Sequence, residues 1–313
     1  METNLKDEKS NSSIHPQIAS FENMRLLWKA RPKQSHKGTF GKVLLVGGSM
    51  RMQGALNMAA KACFQSGCGT LTLFTPLESA RAIAAKNDLT MIIASPQDEE
   101  GYFAQDASLY LDHLENYQLI GCGNGMGTKE SCLPILEKIF ASNALVVLDA
   151  DGINVLAKNK ETLLEQIDKR TKPVIITPHL MEFSRLSGID LVKIQADPTA
   201  IVHHFCLEHP NIIVVLKSET TLISQYARKD YLICRPDSAL AKGGSGDVLC
   251  GIICGLAAWI KDPFHAAILG AFVHNQAAAT ATTPVSFTPL DLIQNLSLVY
   301  TKLDQLISSP SYK

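Results

Sequence analysis

The segment Ala241-Lys242-Gly243-Gly244-Ser245-Gly246-Asp247, followed at once by the apolar run VLCGIICGLAAWI, holds the residues best suited to chemistry. Three glycines ahead of a helix leave backbone N–H groups uncovered, and the helix dipole adds about half a positive charge at that end. Such a turn holds an oxyanion or a phosphate. Asp247 at its edge has two readings, an ordinary N-cap or a general base. Capping needs no run of glycine, which favours the second. The amides of Gly244, Ser245 and Gly246 then neutralise charge building on a transferring phosphoryl group, while Asp247 accepts the proton of the attacking hydroxyl.

Other turns carry the same character. Val46-Gly47-Gly48-Ser49 follows the first strong strand pattern, and Gly121-Cys122-Gly123-Asn124-Gly125-Met126-Gly127 follows YQLI. Alternating glycines there let a ligand approach the backbone at the carboxyl edge of a sheet. Neither turn has the dinucleotide spacing GxGxxG, and the chain lacks the pattern GxxxxGK[ST], so phosphoryl transfer uses another scaffold. Asp149-Ala150-Asp151-Gly152-Ile153-Asn154 and Thr177-Pro178-His179-Leu180-Met181-Glu182 add carboxylates at strand ends. Asp151, or Thr177 with Pro178, also suits plain capping; together the acids offer oxygen ligands for Mg2+ and its waters. Lys217 ends the run NIIVVLK. His203 and His204 stand together in a helical stretch without paired carboxylates at metal spacing, His274 reads as a core or partly buried helix residue, and Cys250 with Cys254 lacks two further zinc ligands.

These residues need elements to position them, and the chain supplies a βαβα rhythm: VLLVGG, GALNMAAKACFQSG, TLTLF, ESARAIAAKND, MIIAS, YQLIGCG, ALVVLDA, PVIITP and NIIVVLK. Strands apolar on both faces predict an α/β fold with a mostly parallel sheet covered by helices on both sides. TTLISQ and DYLICR predict a hairpin at the sheet edge. Helices are expected over 247–260, 263–280 and 289–306, the last opening with the cap Thr288-Pro289-Leu290-Asp291.

With 313 residues, 46% of them hydrophobic and 19% charged, the chain can bury a large core, which excludes disorder and fibrous structure. A formal charge of −1 offers no handle for nucleic acid or anionic lipid. Residues 1–30 read as a polar leader and arm, and 31–313 as a single domain. METNLKDEKSNS has no apolar signal core, the longest apolar run is shorter than the roughly 20 residues of a membrane helix, and eight scattered cysteines fit a reducing cytoplasm.

From about Leu26 to Leu306 the motifs HKGTFGKVLLVGGS, GALNMAA, GCGNGMG, LDADGINVLA, TPHLMEF, NIIVVLK, ALAKGGSGDVLCGIICGLAA and AAILGAFVHNQAA resemble, in this order, the ADP- or ATP-dependent NAD(P)H-hydrate dehydratases of the ribokinase-like superfamily. The resemblance implies repair of nicotinamide cofactors hydrated across a ring double bond, driven by ADP or ATP with Mg2+. It implies Asp247 as the base, with Gly244, Ser245 and Gly246 as the anion hole. Ala55, Gly123, Gly125 and His179 would meet the hydrated cofactor, and Lys217, Ser218, Glu219, Thr220, Thr221 and Gly246 the nucleotide. Glu182 would serve the Mg2+ water network. It further implies a homo-oligomer and a hydrate epimerase carried on a separate chain. Ser218 and Glu219 depart from the Lys-Gly usual after that strand, and Cys122 stands where Pro is common. A vitamin-precursor kinase of the same superfamily, or a non-catalytic nucleotide-binding regulator, would share the glycine-rich turn.

Overall fold

A computed structural model describes residues 16–308. The strands are β1 (Gln17–Ile18), β2 (Lys42–Val46), β3 (Thr70–Pro76), β4 (Met91–Ser95), β5 (Leu119–Cys122), β6 (Leu145–Leu148), β7 (Val174–Ile176), β8 (Ile212–Leu216), β9 (Thr221–Gln225) and β10 (Tyr231–Ile233). They form one sheet in the order β1-β10-β9-β8-β7-β6-β5-β2-β3-β4. From β8 through β4 every pairing is parallel, as the doubly apolar strands require. The alternation is visible in β2, where Val43 and Leu45 enter one core and Leu44 and Val46 the other.

Among the described residues twelve α-helices cover the two faces: α1 (Phe21–Leu27), α2 (Gln53–Gln65), α3 (Leu77–Ala84), α4 (Cys132–Ala141), α5 (Asp151–Lys158), α6 (Lys160–Asp168), α7 (Leu180–Ser187), α8 (Leu191–Ala196), α9 (Pro198–Glu208), α10 (Ser245–Ala257), α11 (Pro263–Ala278) and α12 (Pro289–Ser308). α2, α10, α11 and α12 bury their apolar side chains in one core, and α4 to α9 in the other. The α/β arrangement expected from sequence, a mostly parallel sheet with helices on both faces, is the one observed. The cap on α12 also forms, with Thr288 Oγ1 accepting from the Asp291 amide at 3.2 Å and Asp291 Oδ2 accepting from the Thr288 amide at 2.8 Å.

Two placements differ from the sequence reading. The hairpin β9–β10 is antiparallel, but β10 is not the sheet edge, because β1 pairs with it in parallel. The described part of the expected arm lies against its own chain: Met24 is fully buried, and Trp28 Nε1 donates to Asp304 Oδ1 of α12 at 2.7 Å. The leader METNLKDEKSNS lies outside the described residues. All eight cysteines are free, seven of them buried. Among the described residues no helix is long and apolar enough to cross a membrane.

α10 is the element that matters for chemistry. Gly251 and Gly255, one turn apart, face α2 so closely that an added Cβ would stand 2.2 Å from the Ala59 carbonyl oxygen and 2.4 Å from that of Cys63. Backbone therefore packs on backbone, and this fixes where the first turn of α10 points.

Candidate active site

The start of α10 is a left-handed turn. Gly244, at φ 100°, is its N-cap, and a Cβ there would meet Met58 at 2.6 Å. Asp247, three residues on, makes no capping bond. Its carboxylate instead accepts Asn124 Nδ2 at 2.8 Å, so the plain-cap reading fails. The Ser245 amide is used within the chain, donating to the Lys242 carbonyl at 3.2 Å. Of the three amides expected to form the anion hole, that of Ser245 is thus engaged within the chain. Among the described residues the Gly243, Gly244, Gly246 and Asp247 amides of this turn have no acceptor. From behind, His274 of α11 places Nε2 2.9 Å from the Ser245 carbonyl; burial lowers its pKa to about 4, so the ring is a neutral buttress.

Burial, reinforced by the charge of Asp149, pushes the Asp247 pKa up to about 6 against the bond from Asn124. A carboxylate poised there is ionised at neutral pH and still basic enough to take a proton.

Asn124 ties that acid to a buried ion pair. Its amide also donates to Asp149 Oδ2 at 3.0 Å, while Asp149 Oδ1 accepts Thr177 Oγ1 at 2.6 Å and Lys217 Nζ at 2.8 Å. Burial works against charge on Lys217, but Asp149 and then Glu182 outweigh it and hold the ammonium above its ordinary pKa. Thr177 is thus a partner of Asp149, not a helix cap. Lys217 reaches toward the glycine turn as well, since a Cβ on Gly246 would lie 3.5 Å from its Nζ. The line Lys217, Asp149, Asn124, Asp247 crosses the carboxyl ends of β8, β6 and β5 to α10.

His179 and Glu182 form the capping box of α7. His179 Nδ1 accepts the Met181 and Glu182 amides at 3.1 and 3.3 Å, and Glu182 Oε2 accepts the His179 amide at 2.8 Å. Glu182 Oε1 faces His179 Nε2 at 3.4 Å. Burial raises the Glu182 pKa, while burial and then Lys217 lower that of His179. Asp151 does not cap its helix either; its Oδ2 accepts the Gly127 amide at 2.9 Å and fastens the glycine-rich loop.

That loop uses its glycines differently from the sequence reading. At Gly123, φ 124°, an added Cβ would sit 1.9 Å from the Asp149 carbonyl oxygen, so the missing side chain makes room for protein, not ligand. Gly123→Ala is expected to cost about 3 kcal/mol or more, because neither backbone can yield, and to reduce turnover by displacing Asn124. Thermal melts and turnover of the variant check this. Ala55 is 6% exposed, beneath Gly125. Ser218, Glu219 and Thr221 line a cavity of ≈ 580 Å³ with Asp237 and Asn275, whereas Thr220 and Lys217 do not line it. Sequence reasoning placed Asp149 among the acids of this edge but not in its ion pair with Lys217, and it gave Asn124 no part; the one local signal for either is a position just past a strand end.

The side chains do not make a metal cage. Among the described residues no three His, Cys, Asp or Glu are arranged for one. Asp149 spends its oxygens on three donors and Glu182 spends one on its own cap.

A glycine-started helix bearing a buried acid, at the carboxyl edge of a mostly parallel sheet, places the chain among ribokinase-like proteins. A ribokinase-like superfamily protein from Enterococcus faecalis superposes with a TM-score of 0.78 at 25% identity, covering 92% of this chain and 96% of that one. Residues 43–297 match the NAD(P)H-hydrate dehydratase family, and the chain belongs to that family. It is 35% identical over 255 residues to the ADP-dependent (S)-NAD(P)H-hydrate dehydratase of Neisseria meningitidis, covering 80% of this chain and 81% of that one. The ADP/ATP-dependent NAD(P)H-hydrate dehydratase of Bacillus subtilis, crystallised with ATP and Mg2+, superposes with a TM-score of 0.80 at 25% identity over 93% of this chain and all of that one. The chain spans about half the length of other curated relatives: it covers 53% of the bifunctional NAD(P)H-hydrate repair enzyme of Moorella thermoacetica, at 30% identity over 89% of its own length.

Proposed function

We propose that this protein dehydrates hydrated NADH and NADPH back to the reduced cofactors, with ADP or ATP as the phosphoryl donor. The observation that carries the reading is Asp247, a carboxylate with its pKa raised to about 6 beside the open Gly244 and Gly246 amides. In the reaction the substrate hydroxyl gives its proton to Asp247 as its oxygen attacks the terminal phosphorus. The amides hold the charge on the transferring group, and Lys217, beside Gly246, adds a positive charge. Hydroxide leaves poorly and phosphate leaves well. The ring-nitrogen lone pair expels phosphate, and loss of a proton from the neighbouring carbon restores the double bond.

The nucleotide occupies the side of Ser218, Glu219 and Thr221, with the adjoining Thr220 shaping the turn. Gly125 and His179 border the substrate, while Ala55 and Gly123 act from beneath by setting the loop. Mg2+ would arrive with the nucleotide phosphates, and Glu182 is the carboxylate that would serve its water network. The protein works in the cytoplasm as a homo-oligomer.

The test is recovery of reduced-nicotinamide absorbance when hydrated NADH is incubated with the protein and ADP or ATP in parallel. No recovery with either nucleotide contradicts the reading, and a stable phosphorylated alcohol with no dehydration points to a kinase. The rate of recovery is expected to rise with pH through an apparent pKa of about 6, because protonated Asp247 cannot accept the hydroxyl proton. A pH–rate series reads that limb.

A further inference from the structure

Between Asn23 and Leu77 the sequence has no Asp or Glu, yet Arg25, Lys29, Arg31, Lys33, Lys37, Lys42, Arg51 and Lys61 fall there. Part of this one-signed block gathers at the far end of α10 from Asp247. There a cavity of ≈ 320 Å³ is walled by Leu27, Phe40, Trp259 and Ile260 and also lined by Lys29 and Lys261. The aromatic walls are held in place: Trp259 Nε1 donates to the Ser66 carbonyl at 3.2 Å, and its ring stands edge-on to Phe40 at 6.2 Å and to Trp28 at 5.6 Å. The Arg31 guanidinium lies over the Phe40 ring, 3.4 Å from its centroid.

The charges do not cancel. Asp262, the carboxylate that lines this cavity, is paired with Arg228 and accepts the Phe264 amide at 3.0 Å as the cap of α11. Among the described residues Lys29, Arg31 and Lys261 have no carboxylate partner. The carboxyl end of α10 contributes about half a negative charge, well short of three cations. An apolar cavity with a few convergent charges, at the small end of the 300–1,000 Å³ range of ligand sites, takes one ring system with an acidic group.

We propose that this cavity is a second small-molecule site, which takes an aromatic anion with its ring against Phe40 and Trp259 and its acidic group beside Lys29 and Lys261. The ten residues of α10 that follow Asp247 put it about 15 Å from that acid, clear of the nucleotide side.

Trp28 and Trp259 are the two tryptophans of the chain, so intrinsic emission reports on this place. Phenyl phosphate, titrated into the full-length protein, is expected to change that emission saturably, with calorimetry giving the same affinity. Lys29→Ala/Lys261→Ala, at two exposed positions, is expected to weaken binding by about tenfold or more while the emission of the free protein stays as in the parent. Saturating ADP is expected to leave the titration unchanged. The proposal is overturned if no saturable change occurs, if inorganic phosphate or phenol binds as well as phenyl phosphate, if the double variant binds like the parent, or if ADP displaces the probe.

Discussion

Asp247→Asn is expected to reduce turnover by about 10²–10⁴-fold, leave nucleotide binding intact, and raise the melting temperature at pH 7.5. The two effects have one cause. In the unfolded chain the carboxyl titrates near 3.8, and in the fold it titrates at about 6. A raised pKa favours the protonated acid in the native state, so its contribution to stability is present below the unfolded pKa and is lost as pH rises through about 6. At pH 7.5 the parent therefore carries the whole cost of burying a carboxylate next to Asp149. At 1.36 kcal/mol per unit that cost is at most about 3 kcal/mol. Asparagine keeps an oxygen for Asn124 and has no charge to bury. Melts of both proteins at pH 4 and pH 7.5 read the difference, which shrinks toward zero at the lower pH. Full turnover in the variant would remove Asp247 from the chemistry, and a lower melting temperature at pH 7.5 would contradict its burial as a carboxylate.

Lys217→Met has the next largest expected effect. Asp149 is 1% exposed, and Lys217 is the cation that meets it directly. Removing one member of a buried ion pair costs about 3–5 kcal/mol, because the remaining charge loses its partner and stays out of water. The loss passes on to the base. Lys217 holds the Asp247 pKa down, so the rising limb of the pH–rate profile is expected to move to higher pH in the variant. Lys217→Met/Asp149→Asn removes both charges and is expected to recover most of the stability. Denaturant melts of the two single variants and the double variant check this, and failure of the double to recover would mean that Lys217 contributes by packing instead of by charge.

Much of this was legible in the chain. The run GGSGD ahead of an apolar stretch marks an anion-binding helix start whatever surrounds it, since glycine repetition and an acid are local signals. The βαβα rhythm marks the parallel sheet, because doubly buried strands must be apolar on both faces. Asn124 is a different matter. It lies 123 positions from Asp247 and 25 from Asp149, and its bonds to both depend on how two loops meet over the strand ends. Sequence spacing carries no record of such a meeting. The glycines of GCGNGMG misled for the opposite reason: bare backbone looks the same whether a ligand or a neighbouring carbonyl fills the space, and at Gly123 it is the carbonyl of Asp149. Thr177 and Asp151 likewise have the types and positions of caps, but each spends its side chain on tertiary contacts. β1 could not be read from two residues whose pairing depends on a strand more than 200 positions away.

The central claim is that the substrate hydroxyl, deprotonated by Asp247, receives the terminal phosphoryl group of the nucleotide and that its oxygen then leaves the ring as part of phosphate. The most direct measurement uses hydrated NADH carrying heavy oxygen in its hydroxyl, with mass analysis of the products after one turnover. The account predicts that the label leaves in inorganic phosphate. Label released as water would contradict it.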